Sequence, residues 1–341
     1  MALPGMFERY RAAFDEGFRE VFRCRELPLY SMMQYHLGWM DENYRPTPGS
    51  GGKALRPVLC LFACDAVGGD WRKAIPAAAA LELTHNFSLV HDDIQDNDKE
   101  RRHRPTVWWL WGAPQAINVG NGMWALSGLA LTEAVRLGLP AAKVLTAYEL
   151  LHGACLRMIE GQYLDISFES RQDTGVADYL DMIGRKTGAL LGCSLEMGAL
   201  MGCDSPEVTA SFGEFGRALG IVFQIRDDIL GVWGNPESMG KASDNDIRRK
   251  KKSLPIVCGL ERAEGAQRKR LQKIYGGGEP SDGDVAEVLD ILNSLDVPNA
   301  CQAMAGEYAQ KALATLRNID LSPAARADVT ELVTFLLERQ Y

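Results

Sequence analysis

One long segment, residues 75–98, constrains the fold of this chain more than any other feature of its sequence. It reads IPAAAALELTHNFSLVHDDIQDND and contains no glycine. Alanine and leucine favour helix, and a segment that is apolar around most of its circumference is typical of a helix inside a protein. The segment therefore predicts a long buried helix that ends in a group of acidic residues.

Other segments of the chain have the same helical character. Apolar residues recur at helical spacing in the segments 6–44, 58–67, 112–137, 141–168, 179–201 and 211–232. An alternation of apolar and polar residues, which would indicate strands, persists almost nowhere, and strands and helices do not follow one another in turn. We predict an all-α fold, in which residues 1–341 form one domain, a large helical bundle.

The composition excludes some classes of partner. Of the 341 residues, 46% are hydrophobic, and 37 Lys and Arg against 45 Asp and Glu give a formal net charge of -8. An acidic chain without a basic tail is poorly suited to nucleic acid, whose binding depends on neutralising phosphates. The sequence begins without an apolar signal core and has no run of 18 apolar residues. We expect a cytoplasmic protein that neither binds nucleic acid nor inserts stably into a membrane.

The acidic end of segment 75–98 holds a DDxxD motif, formed by Asp92, Asp93 and Asp96. On a helix, Asp92 and Asp96 lie on one face and Asp93 flanks them. Carboxylates this close repel one another unless they share a cation, and Mg²⁺ commonly binds one or two carboxylates together with substrate phosphates. Taken alone, the motif fits either such a metal site or a solvated acidic helix face.

A second acidic cluster, Asp227 and Asp228 in the segment FQIRDDILG, lies near the end of another apolar helix. The polar segment 234–255 follows it and contains a run of basic residues, which favours a loop that binds phosphate. If the two helices face each other, the two clusters form a cage for divalent ions. Mg²⁺ surrounded by Arg and Lys would bind a diphosphate tightly.

The segment GGKALRP, residues 51–57, supplies further cations. Its flexible backbone precedes Lys53 and Arg56, which lie about one turn apart. The segment fits either a diphosphate site at a helix N-terminus or an ordinary surface turn, and it lacks the spacing of a Walker loop. His85 lies about two turns before Asp92 and on nearly the same face, which fits either a ligand contact or a satisfied core histidine.

These residues indicate a class of chemistry. No Ser/His/Asp or Cys/His arrangement is evident, which argues against nucleophilic catalysis. Metal ions that polarise a phosphoryl oxygen and neutralise a leaving diphosphate would favour ionisation of a carbon–oxygen bond. The apolar helix before Asp92 would then line a cavity for a hydrocarbon chain.

The motifs, in their order and spacing, resemble those of the trans-isoprenyl diphosphate synthases, or polyprenyl synthetases. They are GGKxxRP, DDxxD followed by RRxxPT, GQxxD at residues 161–165, Lys186 with Thr187, FQxxDD, and the segment from Lys241 to Pro255. The resemblance extends from about Gly51 to Pro255. It implies an all-α bundle around a deep central cavity, usually as a homodimer.

The resemblance also implies roles for individual residues in binding metal ions and diphosphates. Asp92, Asp96 and Asp227 would ligate three Mg²⁺ ions, and Asp93 and Asp228 complete the metal-binding set. The allylic diphosphate would contact Arg101, Lys186, Thr187, Gln224 and Lys241, and isopentenyl diphosphate would contact Lys53, Arg56, His85 and Arg102. Lys251, in the basic run, would be a further substrate contact. The implied catalytic residues are Asp92, Asp96, Asp227, Lys186 and Lys241.

The implied reaction is ionisation of the allylic diphosphate, attack by the isopentenyl double bond, and loss of a proton to the departing diphosphate. Residues one or two turns before Asp92 would form the cavity floor and limit product length. Phe87 is aromatic, Ser88 is small, and the first motif has no two-residue insertion. This combination resembles short-chain synthases that make C20 geranylgeranyl diphosphate, with C15 farnesyl diphosphate as the alternative. Trp124 could also narrow the cavity.

Two positions depart from the family pattern. Gly231 stands where a third Asp is common, and Asn121 stands where Asp is usual. A non-catalytic subunit of a heteromeric synthase is therefore an alternative, although such subunits commonly lose the first motif, which is intact here. The FQxxDD and GGKxxRP motifs argue against a class I terpene cyclase, which should carry an NDxxSxxxE-like motif. A purely structural helical protein would release no diphosphate from these substrates.

Overall fold

A computed structural model describes residues 3–47, 52–171, 173–234 and 245–339. The helices are α1 (Met6–Glu20), α2 (Pro28–His36), α3 (Leu55–Ala66), α4 (Ile75–Gln95), α5 (Val107–Trp111), α6 (Ala113–Arg136), α7 (Ala141–Ser170), α8 (Val176–Ile183), α9 (Ala189–Gly202), α10 (Pro206–Trp233), α11 (Asn245–Arg248), α12 (Leu254–Arg262), α13 (Gly265–Gly276), α14 (Asp282–Ser294), α15 (Val297–Thr315) and α16 (Pro323–Glu338). A 3₁₀ turn (Trp71–Ala74), a π-helical turn (Gly184–Gly188) and two strands, β1 (Glu100–Arg101) and β2 (Arg104–Pro105), complete the described elements. The all-α prediction is confirmed.

Contacts divide the chain into two compact units. The N-terminal unit comprises Gly5–Gly153 and Cys193–Ala210, and the C-terminal unit comprises Met1–Pro4, Ala154–Gly192 and Ser211–Tyr341. That residues 1–341 form one domain therefore stays a prediction.

The N-terminal unit is built around α4, whose predicted length and burial are confirmed. Its 21 residues include four consecutive buried alanines, Ala77 to Ala80, which let α3 and α6 pack closely against it. Leu81, Leu83 and Val90 are almost completely buried, and each contributes about 1.5–3 kcal/mol of burial energy. The helix ends at Gln95, so the acidic motif occupies its last turn and its C-cap.

Two predicted helices are interrupted. Segment 6–44 forms α1 and α2 rather than one helix, because Cys24 has a left-handed backbone and Pro28 begins a new helix after an extended Leu27. Segment 179–201 is divided into α8, a π-helical turn and α9. The π-helical turn carries Lys186 and Thr187, and such turns often occur at functional sites.

Residues 100–105 form a small β-hairpin. Glu100 pairs with Pro105 and Arg101 with Arg104 in antiparallel register. Both turn residues, Arg102 and His103, have positive φ angles of 53° and 59°. This is the backbone of a tight hairpin turn that usually selects glycine or asparagine, so Arg102 and His103 do not indicate such a turn from sequence.

The three tryptophans of α5, at positions 108, 109 and 111, differ in burial. Trp109 is 51% exposed, and Lys99 lies over its ring at 4.5 Å. Trp111 does pack, against Tyr35 and Tyr44, with ring centroids 5.0 and 5.9 Å away.

The C-terminal unit has its own apolar core. Buried residues of α8, α10, α12 and α14 meet there, including Tyr179, Ile225, Val257 and Leu292. Close helix approach depends on glycine at one point in particular. A Cβ atom on Gly220 would lie 2.5 Å from the Cα of Gly188, so α10 passes the π-helical turn with almost no space between the two backbones. Within the described residues, no helix combines the length and apolar character that a membrane span requires.

Candidate functional site

The DDxxD motif of the N-terminal unit has one buried and two more accessible carboxylates. Asp93 is 1% exposed and forms an ion pair with Arg101, whose Nε lies 2.7 Å from Asp93 Oδ1. Burial raises the pKa of Asp93 to about 6, although Arg101 acts in the opposite direction. The other carboxylate oxygen of Asp93 is buried and lacks a hydrogen-bond partner. Asp92 is partly buried and Asp96 is exposed, four residues apart on the helix.

This donor set fits Mg²⁺, but only with ligands added from outside. In the part of the chain that the structure describes, no three His, Cys, Asp or Glu side chains form a group able to hold a metal ion. Mg²⁺ usually keeps several waters and binds one or two carboxylates plus substrate phosphates. Asp92 and Asp96 supply the oxygen donors that this mode of binding requires.

A buried polar group lies on the preceding turns of α4. Glu82 is 8% exposed and Asn86 is fully buried; Asn86 Nδ2 donates to Glu82 Oε1 at 3.0 Å. Burial raises the pKa of Glu82 and lowers the pKa of Arg56 to about 10. The charge of Arg56 opposes the shift of Glu82, and the charge of Glu82 opposes the shift of Arg56. Arg56 Nε is buried and has no hydrogen-bond partner. This guanidinium is held near a carboxylate but keeps donor capacity for a ligand.

The predicted residues His85 and Arg102 belong to the same neighbourhood. Burial and the charges of Arg56 and Arg102 hold the pKa of His85 well below its usual range, so that His85 is neutral. The Arg102 guanidinium lies against Gly52, where an added Cβ would be 2.8 Å from Arg102 Nη2. Gly52 of the GGK motif is therefore needed for close approach of this arginine. Lys53 is exposed just before α3, and Gly51 lies outside the described residues.

His36, Tyr35 and Arg104 are residues that the sequence reasoning missed. A cavity of about 180 Å³ is lined by these residues together with Asp93, Arg101 and Arg102. Arg104 lies over the Tyr35 ring at 4.1 Å and donates to the carbonyl of Met40 at 2.6 Å. Burial, followed by the charges of Arg102 and Arg101, lowers the pKa of His36 to about 3, and its buried Nε2 has no partner. No motif marks these positions; only the folded backbone brings α2 to the hairpin.

In the C-terminal unit, the GQxxD motif positions Lys186. Lys186 Nζ forms an ion pair with Asp165 Oδ2 at 2.5 Å. An added Cβ on Gly161 would lie 2.3 Å from the backbone nitrogen of Lys186. Gly161 thus lets α7 contact the π-helical turn. Asp165, one helical turn after Gly161 on α7, binds Lys186 of the π-helical turn.

Asp228 lies at the centre of a buried hydrogen-bond network. It is 1% exposed and accepts hydrogen bonds from the Tyr179 hydroxyl, from Gln224 Nε2 at 3.1 Å and from the backbone N–H of Leu254 at 3.1 Å. Thr187 Oγ1 in turn donates to Gln224 Oε1 at 3.0 Å. Burial raises the pKa of Asp228 to about 6 despite these donors. The network fixes the predicted residues Thr187 and Gln224 in one orientation.

Asp227, next in the chain, is bound by an arginine that sequence reasoning did not select. Arg339 Nη2 forms an ion pair with Asp227 Oδ1 and also donates to the carbonyl of Phe223 at 3.0 Å. The guanidinium lies over the Phe223 ring at 4.0 Å. The sequence separation of 112 residues leaves no local signal for this pair.

The departure at Gly231 has a clear structural consequence. An added Cβ at this position would lie 2.5 Å from Asp246 Oδ2, so the Asp246 carboxylate occupies the space that a side chain would need. Burial opposes a charge on Lys251, but the charges of Asp228 and Asp246, among others, raise the pKa of its ammonium. Lys241 lies outside the described residues.

The proposed chain-length residues form part of an aromatic column. The Phe87 ring contacts Trp124 and His91, with centroids 5.4 and 5.8 Å away, and Trp124 packs on His152 at 4.7 Å. Ser88 donates its hydroxyl to the carbonyl of His85 at 2.8 Å. Through the contact of Trp124 with His152, this column connects Phe87 on α4 and Trp124 on α6 to α7.

Each unit therefore assembles its own share of the predicted residues. In the N-terminal unit the structure brings together Asp93 with Arg101, and Arg56 with Glu82 near His85 and Arg102. In the C-terminal unit it joins Thr187, Gln224 and Asp228 in one network. Carboxylates beside fixed cations can bind a metal ion together with an anion that carries several oxygens.

Comparison with known proteins gives a consistent result. The polyprenyl synthetase family pattern matches residues 38–292. The (2E,6E)-farnesyl diphosphate synthase of Mycobacterium bovis is 36% identical over 312 residues, which cover 91% of this chain and 86% of that protein. The crystal structure of geranylgeranyl pyrophosphate synthetase from Pyrococcus horikoshii is 33% identical, with a TM-score of 0.88 over 98% of both chains.

A third similar protein was solved with ligands. The geranylgeranyl pyrophosphate synthase of Corynebacterium glutamicum, complexed with isoprenyl diphosphate and magnesium, is 25% identical and gives a TM-score of 0.83. The alignment covers 99% of this chain and all of that one. The similar proteins therefore include synthases named for two product lengths.

Proposed function

Because the chain belongs to the polyprenyl synthetase family, whose members are prenyltransferases, we propose that it condenses isopentenyl diphosphate with an allylic diphosphate. The product is a short-chain all-trans prenyl diphosphate, and the reaction requires Mg²⁺. We place the enzyme in the cytoplasm.

The observation that carries this proposal is the arrangement at the end of α4. Asp93 is buried and bound to Arg101, whereas Asp92 and Asp96 are more accessible, one turn apart. A carboxylate pair with a fixed guanidinium beside it suits a metal-bound diphosphate better than it suits a solvated acidic surface.

Asp92, Asp96 and Asp227 are the residues that would hold Mg²⁺, three ions being the number we propose. When bound, the ions would neutralise charge on the leaving diphosphate. The proton lost at the end of the reaction would pass to the departing diphosphate.

The remaining residues orient the two substrates. Arg56, Arg102 and Lys53 would bind isopentenyl diphosphate, and the neutral His85 could donate a hydrogen bond to it without adding a charge. Glu82 limits the excess of positive charge in this pocket when no anion is bound.

On the allylic side, hydrogen bonds restrict the side chains before the substrate arrives. Asp165 holds Lys186, and Asp228 holds Gln224, which accepts the hydrogen bond of Thr187. We assign Lys241 and Lys251 to the same diphosphate. Fixed donors need little reorganisation when charge develops on the leaving group, which is the main way a protein speeds such a reaction.

For product length we propose C20, with C15 as the alternative. The support is Phe87, which is 7% exposed and backed by Trp124, with the small Ser88 beside it. Chromatography of dephosphorylated products should give geranylgeraniol as the main alcohol. A dominant C30 or longer product would contradict the proposal.

We also propose that the active form is a homodimer. Helix α7 carries large exposed apolar side chains in two groups, with spacings of three or four residues within each group: Leu145 and Tyr148, then Leu156, Ile159, Tyr163 and Ile166. Such a stripe is typical of a helix that packs against a partner. Light scattering after size exclusion should give twice the chain mass, and Leu156→Glu should shift it towards the monomer. A native protein of single-chain mass would contradict the proposal.

The function itself is tested by incubating the protein with isopentenyl and farnesyl diphosphates and measuring released diphosphate. We expect one diphosphate per carbon–carbon bond formed, and no release without Mg²⁺. Failure to release diphosphate with the native protein alone, but release after a second synthase subunit is added, would favour the non-catalytic subunit instead.

A further inference from the structure

The ion pair between Arg339 and Asp227 joins the end of α16 to the second acidic cluster. Arg339 is 5% exposed, although its partner Asp227 is much more open, with 43% of its side chain exposed. The arginine is anchored on three sides. Its Nη2 donates to Asp227 and to the Phe223 carbonyl, its guanidinium covers the Phe223 ring, and its own carbonyl accepts from Arg226 Nε at 2.9 Å.

The position of the Arg339 guanidinium against Phe223 and Asp227, here called its seat, is specific and not a chance surface contact. Phe223 and Asp227 lie one turn apart on α10, so one Nη2 atom bridges a backbone carbonyl and a carboxylate on the same helix face. An arginine side chain stays protonated under ordinary conditions, so a positive charge lies beside the Asp227 carboxylate for as long as Arg339 is seated.

Asp227 is also the residue of the C-terminal unit to which our proposed function assigns Mg²⁺. A divalent ion on Asp227 would lie within a few ångströms of the guanidinium, and like charges at that distance repel strongly where water is partly excluded. The second carboxylate oxygen does not remove this conflict, because both oxygens belong to one small group. Asp227 cannot hold both cations at full strength.

We propose that Arg339 is a built-in competitor for the metal ion at Asp227. In the absence of metal it neutralises Asp227 and fixes the end of α16 on α10. When metal and diphosphate bind, the guanidinium leaves its seat, so occupation of the second acidic cluster is coupled to release of residue 339. The inference rests on the proposed function, since it assumes that Asp227 binds Mg²⁺.

The coupling predicts that removing the guanidinium strengthens metal binding. We would titrate Mg²⁺ into the full chain in the presence of inorganic diphosphate and follow binding by calorimetry, which requires no turnover. Arg339→Gln should lower the Mg²⁺ midpoint roughly two- to fivefold, the effect expected from losing one partly exposed ion pair. Arg339→Lys, which keeps the charge, should stay nearer the native midpoint.

Two further variants separate the proposed role of Arg339 from the effects of a changed net charge or of misfolding. Arg270→Gln removes a guanidinium that binds Asp284 and Glu287 in the same unit, so it makes the same change in net charge without touching Asp227. Its midpoint should equal the native one. Arg226→Gln loosens the seat by removing the hydrogen bond to the Arg339 carbonyl, and it should give an intermediate midpoint. It also covers the case in which Arg339→Gln fails to fold.

Hydrogen exchange gives an independent readout. The Arg339 N–H donates to the Phe335 carbonyl at 2.9 Å, so this amide should exchange slowly in the metal-free protein and faster once Mg²⁺ and diphosphate are added. Equal midpoints for native protein and Arg339→Gln, or a higher midpoint in the variant, would overturn the competitor role and leave the proposed function standing. A native protein that takes up no Mg²⁺ with diphosphate would overturn both.

Discussion

Substituting Gly161 by alanine tests how the GQxxD motif acts. The new Cβ would lie 2.3 Å from the nitrogen and 2.6 Å from the Cα of Lys186. Both are backbone atoms, so no flexible side chain can move aside, and the helix and the π-helical turn must separate. Overpacking of this kind costs about 1–3 kcal/mol, and the better helix propensity of alanine returns about 1 kcal/mol. We expect a net loss of stability of up to about 2 kcal/mol.

The effect on turnover should be larger than the effect on stability. Separating the two backbones by about 1 Å would displace Lys186 from Asp165, and a misplacement of that size can lower a rate about 100-fold. Urea unfolding and steady-state diphosphate release would measure the two quantities on the same protein.

Gly153→Ala is the matched control, because Gly153 lies on the same helix and an added Cβ there would meet no atom within 4 Å. This control should gain up to about 1 kcal/mol and keep its rate. If Gly161→Ala is as stable and as active as the control, the close approach of α7 to the π-helical turn is not needed.

Three other outcomes follow from the described contacts. The Cβ of Gly231→Ala would lie 2.5 Å from Asp246 Oδ2 and should push this carboxylate aside. Diphosphate release should fall several-fold, with little loss of stability because the contact is made by the end of a side chain. An unchanged rate would show that this contact is not needed. The pKa of His36 is about 3 in the folded protein and 6.5 in the unfolded chain. Between these two pH values only the unfolded chain binds the proton, so the free energy of unfolding falls as the pH falls from about 6.5 towards 3. The unfolding free energy of His36→Gln should therefore fall less steeply between pH 7 and pH 5 than that of the native protein, by at most about 1.4 kcal/mol per pH unit, and parallel curves would contradict this. Phe87→Ala should lengthen the main product by removing the ring that packs on Trp124, as judged by chromatography of the alcohols, and an unchanged distribution would place the floor elsewhere.

The long helices could be predicted from sequence because their apolar periodicity is strong and local. Helix α4 is the clearest case, since alanine-rich composition fixed its type and the acidic motif marked its end within three residues. The interruption at the π-helical turn could not be predicted, because it depends on how closely α7 and α10 approach Gly184–Gly188 through their own glycines. The hairpin turn at Arg102 was equally hidden, since a charged residue there adopts a backbone that usually selects glycine.

The site was predictable where it consists of motifs and not where it consists of contacts between distant segments. The motifs DDxxD, GQxxD and FQxxDD include Asp93, Asp165 and Asp228, but they do not indicate which side chains bind these carboxylates. Arg339 reaches Asp227 across 112 residues, and His36 reaches the hairpin from α2, with no local pattern to indicate either. These pairs arise from tertiary structure alone.

We propose that the end of α4 binds the metal ions of a prenyl transfer, and the variant Asp92→Asn is the sharpest test of this role. The condensation rate of this variant with isopentenyl and farnesyl diphosphates should fall at least about 100-fold, the usual effect of losing a group that stabilises the leaving charge. Asp204→Asn, at an exposed aspartate that pairs with Lys143, serves as the control and should keep the native rate. A rate for Asp92→Asn within twofold of the control would show that the end of α4 does not bind the catalytic metal ions.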